Sequence, residues 1–314
     1  MSYSDRMQRN HLVSIYLAPR GYPRMADQGE QIGQLYLSPF DQLIGIIGDA
    51  GSGKSMLIKG MFPGLQLTND DEGLTVRPLP IMNVEEDSFF SARTYHIDMQ
   101  FESAFYQMHD IVDAINRALS MKKRVVIEHF DMVYPALKKN ADLLIGIGEE
   151  IIITRPTVFG PEPMEIHDVV FKSIQFRKMA HTAEELFMIA LEKQGFTEYW
   201  HSEVRHGFLI LFDEEPVIDM DRLKEDVQDL IDQKLPVAYK DDNHIYVGDK
   251  VRMCQGPRMH VNNTGDITEF MIYPDIEQDP FTKRYMLLAV VGAEKVANIS
   301  VVNTIFDSYG VRSI

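Results

Sequence analysis

Apolar positions follow two rhythms along this chain. In its first half, short apolar runs at 43–47, 124–128 and 142–147 have the density of strands covered on both faces. Between them lie stretches with a helical repeat. The pattern predicts a helix over 54–62, with Met56, Leu57, Ile58 and Met61 on one face and Pro63-Gly64 as its stop. It predicts a second helix over 103–120, where Ala104, Met108, Ile111, Val112, Ile115 and Leu119 recur. Ile151-Ile152-Ile153 reads as a further strand, Gly160-Pro161-Glu162-Pro163 as a break, and 166–176 as a last strand. Strands alternating with helices in this way predict an α/β fold with a mainly parallel sheet.

After residue 176 the rhythm changes. A helix over 181–194 precedes the strand 207–212, and Asp219 caps an amphipathic helix carrying Leu223, Val227, Leu230 and Ile231 before Pro236 stops it. Short strands and turns follow, so this half reads as α+β. Two domains are expected, 1–176 and 177–314. A chain of 314 residues that is 45% hydrophobic can give each its own core.

The remaining bulk properties narrow the class. No apolar run approaches the ~18 residues of a membrane span and no secretory pattern is visible, which predicts a soluble, cytoplasmic protein without a membrane partner. The one cysteine, Cys254, excludes an internal disulfide and suits a reducing compartment. A net charge of −16, spread over both halves, argues against non-specific wrapping of nucleic acid. It leaves a small molecule, or a nucleic acid recognised only locally, as partner. Oligomeric state is not legible.

The sharpest local feature is Gly48-Asp49-Ala50-Gly51-Ser52-Gly53-Lys54-Ser55, directly after an apolar strand and opening a helix. Glycines let backbone N–H groups converge on a phosphate, Lys54 adds a mobile charge, the Ser55 hydroxyl suits magnesium, and the helix dipole favours an anion. The segment resembles the phosphate-binding loop of P-loop NTPases and kinases, and the resemblance implies ATP or GTP with magnesium as ligand. Such a site needs a carboxylate at a neighbouring strand end. Glu128, with Asp131 close behind, is the first candidate and Asp98 the second. A kinase also needs a carboxylate to orient its acceptor, and Asp87, in Asp87-Ser88-Phe89-Phe90, can serve. That segment is similar to the Asp-x-Tyr-Tyr region of uridine kinase-like nucleoside kinases. Arg77 and Arg93 are isolated candidates for a phosphate lid.

Four patterns in the second half occur in a telling order. They are His181-Thr182-Ala183-Glu184-Glu185-Leu186-Phe187, His206-Gly207-Phe208 through Asp213, Asp221-Arg222-Leu223 through Val237, and Cys254-Gln255-Gly256-Pro257-Arg258-Met259-His260-Val261-Asn262-Asn263-Thr264-Gly265. Together they resemble the second additional domain of alanyl- and threonyl-tRNA synthetases, the editing domain of the alanyl enzymes, over roughly residues 177–300. The resemblance implies a zinc site at His181, Glu185, Cys254 and His260. The family has histidine where Glu185 stands, and Cys254-x5-His260 is two residues longer than the family spacing. Either the chain holds zinc with an unusual set, or the site survives as scaffold.

Three functions remain open on these grounds. One is an NTP-dependent editing hydrolase acting on mischarged aminoacyl-tRNA or a related aminoacyl compound. Another is a nucleoside or small-metabolite kinase, with Lys54, Glu128 and Asp87 as its catalytic residues. The third is a non-catalytic, nucleotide-responsive amino-acid sensor.

Overall fold

The computed structural model describes residues 13–69, 79–83, 93–241, 243–254 and 259–292. The chain divides into two compact units, 1–173 and 174–314. In the first unit the elements are β1 (Val13–Leu17), α1 (Tyr22–Tyr36), β2 (Leu43–Gly48), α2 (Lys54–Met61), β3 (Thr94–Asp98), α3 (Met99–Glu102), α4 (Met108–Ser120), β4 (Arg124–Glu128), α5 (Phe130–Leu137), β5 (Leu143–Ile147) and β6 (Glu150–Thr154). A long helix, α6 (Pro163–Lys193), begins in this unit and ends in the second.

Every residue of β2 is buried, as its unbroken apolar run requires. It lies inside a six-stranded sheet of order β1-β6-β5-β2-β4-β3. The strands β5, β2, β4 and β3 are mutually parallel. The other two pairings, β5 with β6 and β6 with β1, are antiparallel, so the sheet is mixed, with a parallel part of four strands. The reason is local: only the two residues Gly148 and Glu149 join β5 to β6, too few for a crossover.

The phosphate-loop candidate's helix α2 is held by unusually close packing on α1. A methyl group added at Gly29 would fall on the Leu57 carbonyl oxygen, and one at Gly60 on the Ala26 carbonyl oxygen. Around this contact Met25, Ile32, Leu57, Ile58 and Met61 join Ile44, Ile46 and Ile145 in the core.

Two predicted elements are corrected. The helix expected over 103–120 starts at Met108. Before it, Asp98 caps the separate short helix α3 by accepting from the Phe101 N–H, and the Glu102 carbonyl takes the N–H groups of Phe105 and Tyr106, turning the chain with Ala104 exposed. The strand expected over 166–176 is part of α6. Ile166, Val170 and Ile174 are buried at helical spacing, and Gly146 and Gly148 leave the room for the first two to approach β5 and its end.

The second unit continues with β7 (Trp200–Val204), β8 (Gly207–Phe212), α7 (Met220–Asp232), β9 (Val237–Asp241), β10 (His244–Val247), β11 (Lys250–Met253), β12 (Met271–Ile272), β13 (Glu277–Gln278) and β14 (Tyr285–Val290). They form antiparallel sheets, one of order β12-β14-β8-β7 with β13 paired to β14, the other β11-β10-β9. The core joins Ala183, Leu186, Phe187 and Leu191 of α6 to Phe208, Ile210, Leu223, Val227 and Leu287. Asp219 caps α7 as expected, accepting from the Arg222 N–H. No helix among the described residues is long and apolar enough to cross a membrane.

Replacing Gly60 by Ala forces a side chain against backbone that cannot yield, and should destabilise the first unit by about 1–3 kcal/mol in denaturant titrations. In the second unit His206 stacks on Phe176 with ring centroids 3.8 Å apart, and burial, then Arg205, push its pKa from 6.5 down to about 4. Between those values only the unfolded chain takes up the proton, so stability is full above about pH 6.5 and falls as the pH drops toward 4. His206→Asn should flatten that limb in thermal melts across the same range.

Candidate functional site

Strand register assembles the first site. In β4 Glu128 pairs with Ile46 of β2 on one side and Asp98 of β3 on the other, so both carboxylates stand at the strand ends from which the Gly48–Ser55 loop departs. The loop needs its glycines. Gly51 and Gly53 have φ of 76° and 101°, and a Cβ at Gly48 would press on Ser52 Oγ and the Ile147 carbonyl. Gly53 begins α2 with no side-chain cap, so the first-turn N–H groups keep their dipole end without an internal carboxylate or hydroxyl. Lys54 Nζ donates to the Asp49 carbonyl at 2.9 Å and lies 4.0 Å from Glu128 Oε2.

Glu128 is the hub. It is 1% exposed, and its Oε1 accepts from Ser55 Oγ at 2.9 Å and faces His96 Nε2 at 3.2 Å. The backbone N–H of Thr68 donates to His96 Nδ1 at 3.0 Å, which assigns the ring proton to Nε2 and makes it a donor to the carboxylate. Burial alone would push the Glu128 carboxyl up. The hydrogen bonds from His96 and Ser55 and the charge of Lys54 oppose this and hold the carboxyl below its ordinary value, so it is anionic near neutrality. Burial lowers Lys54, against the opposing pull of Glu128, Asp98, Asp49 and Asp131.

His129, in left-handed backbone at φ 57°, follows Glu128 and opens α5. Burial and Lys54 push its pKa down, so its ring is the neutral, metal-competent form near neutrality. Donor atoms of Asp98, Glu128 and His129 all lie within 4.8 Å of one another, the set among the described residues that meets this spacing. With the Ser55 hydroxyl, the two carboxylates offer the hard oxygen donors that suit Mg2+.

Thus Ser55, Lys54, Glu128 and Asp98, read from sequence, come together. Asp87 lies outside the described residues, as do Arg77 and the rest of Asp87–Phe90. Arg93 precedes β3, at the end of that strand remote from Asp98. His96 escaped sequence reading, although it lies two residues before Asp98 on the same strand face. His129 and Asn69 carried no signal in any motif.

A second cluster lies in the second unit. On α6, His181 and Glu185 are buried one turn apart, and Cys254, directly after β11, has its Sγ 3.1 Å from His260 Nε2. His181 and His260 ring centroids are 6.3 Å apart. Thr182, unremarked as a site residue, sets the His260 ring. Its hydroxyl donates to the Lys178 carbonyl at 2.9 Å and accepts from the Val261 N–H, so His260 Nδ1, 3.2 Å away, is the donor in that pair. Nε2 then presents its lone pair toward Cys254, the orientation a metal-binding imidazole takes. Thiol, imidazole and carboxylate donors suit zinc chemically. No three of these four bring donor atoms within 4.8 Å of one another, and residues 255–258 lie outside the described ones. His201 and His244 are occupied elsewhere, bonded to Glu184 and Asp241.

No protein-family model matches the chain, and no curated protein matches it.

Replacing His96 by Leu strands the Thr68 N–H and removes a donor from a buried carboxylate. It should cost about 1–3 kcal/mol in the first unit's unfolding, whereas His96→Gln, which keeps a donor, should recover part of that loss.

Proposed function

We propose that the first unit binds a nucleoside triphosphate, ATP or GTP, as its magnesium complex and promotes transfer of the terminal phosphoryl group to water, releasing the diphosphate and inorganic phosphate. The observation that carries this reading is the 2.9 Å hydrogen bond from Ser55 Oγ to Glu128 Oε1, which joins the loop hydroxyl to the strand-end carboxylate. A hydroxyl at the start of the helix and a carboxylate on the adjacent parallel strand are the two protein groups that such a magnesium complex needs. Loop N–H groups and Lys54 supply positive charge for the outer phosphates, where charge accumulates in the transition state. The ion, when bound, would neutralise the phosphate oxygens, with Ser55, Glu128 and Asp98 as the residues to hold it or its water shell. The excess of carboxylates over ammonium groups around Lys54 fits a site completed by a cation.

For the second unit we propose recognition of an aminoacyl group, with His181, Glu185, Cys254 and His260 as zinc ligands. The Thr182-fixed ring of His260, facing Cys254, favours this over a scaffold that has lost its metal. Coupled to the first unit, such a module makes an NTP-dependent editing hydrolase acting on a mischarged acceptor end. A kinase reading lacks comparable support, since its acceptor-orienting candidate Asp87 lies outside the described residues.

Fluorescent ATP and GTP analogues titrated into the full chain test the first unit. Lys54→Ala should weaken binding by at least about tenfold, the loss of a charged hydrogen bond to phosphate. Glu128→Gln should abolish the gain in affinity that magnesium brings. Binding that ignores both magnesium and Lys54 would sink the reading. Metal analysis of purified protein tests the second: zinc should co-purify with the wild type and be lost from Cys254→Ala.

A further inference from the structure

The oxygens needed for the proposed cation are already engaged by one neutral side chain. Ser55 Oγ gives its proton to Glu128, and onto its lone pairs Asn69 Nδ2 donates at 3.3 Å. The same nitrogen donates to Asp98 Oδ2 at 2.8 Å, while Asp98 Oδ1 accepts from the Phe101 N–H. A single amide therefore spans the serine hydroxyl and a strand-end carboxylate, presenting its two positively polarised hydrogens where a cation would present charge. The arrangement has a cost, since Asn69 Oδ1 is buried with no hydrogen-bond partner among the described residues.

We infer that Asn69 is a stand-in for the cation: its amide caps the Ser55 and Asp98 oxygens, and a divalent ion binds by displacing it from both. The inference rests on the magnesium reading of this site. An ion bridging these two oxygens at about 2.0–2.1 Å would fill the space between them that Asn69 Nδ2 occupies, 3.3 Å from one and 2.8 Å from the other. The orphaned Oδ1 makes the amide a competitor that can be dislodged, because leaving the site lets that oxygen reach a donor. Only the side chain needs to turn. The neighbouring backbone is anchored through the Thr68 N–H on His96, which itself holds Glu128. Asn69 thus sets a threshold, so that the oxygens open to a doubly charged, strongly coordinating ion and stay capped otherwise.

Mn2+ titrated into the full chain with saturating ADP, with free ion read by electron paramagnetic resonance, tests this without reference to turnover. Asn69→Ala removes the competitor and should bind Mn2+ about tenfold more tightly than the wild type, the order expected for losing hydrogen bonds to a charged group. Its melting temperature without divalent ions should be lower than the wild type's, and its rise on adding Mn2+ larger. Equal Mn2+ affinity would show that the amide does not compete, and weaker affinity that Asn69 is itself a ligand; either overturns the inference while leaving the magnesium reading intact. If Asn69→Ala does not fold, Asn69→Ser carries the same comparison. Absence of Mn2+ binding by wild type and variant alike removes the magnesium reading, and this inference with it.

Discussion

The parallel register of three strands is the constraint on which the first site depends. Because β2, β4 and β3 run side by side in one direction, their C-terminal ends deliver Gly48, Glu128 and Asp98 to one edge of the sheet. A slip of one residue in β4 would turn Glu128 to the other face and bring Ile127 in its place. Burial holds these strands in the middle of the sheet, since Val125, Val126 and Ile127 of β4 and all of β2 are buried. The loop that follows β2 can then fold back over that edge only because α2 is seated on α1 through glycines, with backbone against side-chain-free backbone.

Charge at that edge runs against the economy of a core. Lys54, Asp98 and Glu128 are all buried, and desolvation opposes each in its ionised form. Hydrogen bonds offset much of this: His96, Ser55, Asn69 and the Phe101 N–H each direct a proton at one of the two carboxylates. Four donors and one ammonium against two carboxylates leave a buried, acidic cluster whose carboxylates are hydrogen-bonded by groups that a ligand could replace. Stability alone would favour apolar side chains here, as isosteric replacement of buried ion pairs often stabilises. The cluster therefore makes physical sense as a binding edge.

What could be read in advance follows from what one-dimensional pattern encodes. The Gly48–Ser55 loop was legible because each residue type there answers a local demand, positive φ at Gly51 and Gly53 and close approach at Gly48. Glu128 was legible because it ends an apolar strand. His96 was not, since its role depends on Thr68, reached across 28 residues, and a lone strand histidine looks the same in any sheet. Residues 166–176 were misread because β-branched Val169 and Val170 favour a strand locally, while packing at Gly146 and Gly148 selects the helix. The break before Met108 was hidden because Ala104 continues the apolar spacing although it faces solvent.

The two clusters differ in donor chemistry, and the difference would favour different ions. Ser55, Asp98 and Glu128 offer mainly hard oxygen, whereas Cys254, His181 and His260 offer sulfur and nitrogen, with Glu185 as the one oxygen donor. A borderline-soft ion such as zinc gains most from the thiolate and imidazoles, and magnesium gains nothing there. His129 is the point of overlap, since its imidazole beside two carboxylates makes a set that zinc or manganese could also enter. Selectivity at the first site then cannot rest on donor type alone. On the nucleotide reading it would come from geometry and from phosphate oxygens, which would add to the oxygen donors that magnesium favours over a tetrahedral ion. A site so arranged would bind its metal well only with its nucleotide, so occupancy of the phosphate loop and of the cation position would be one event.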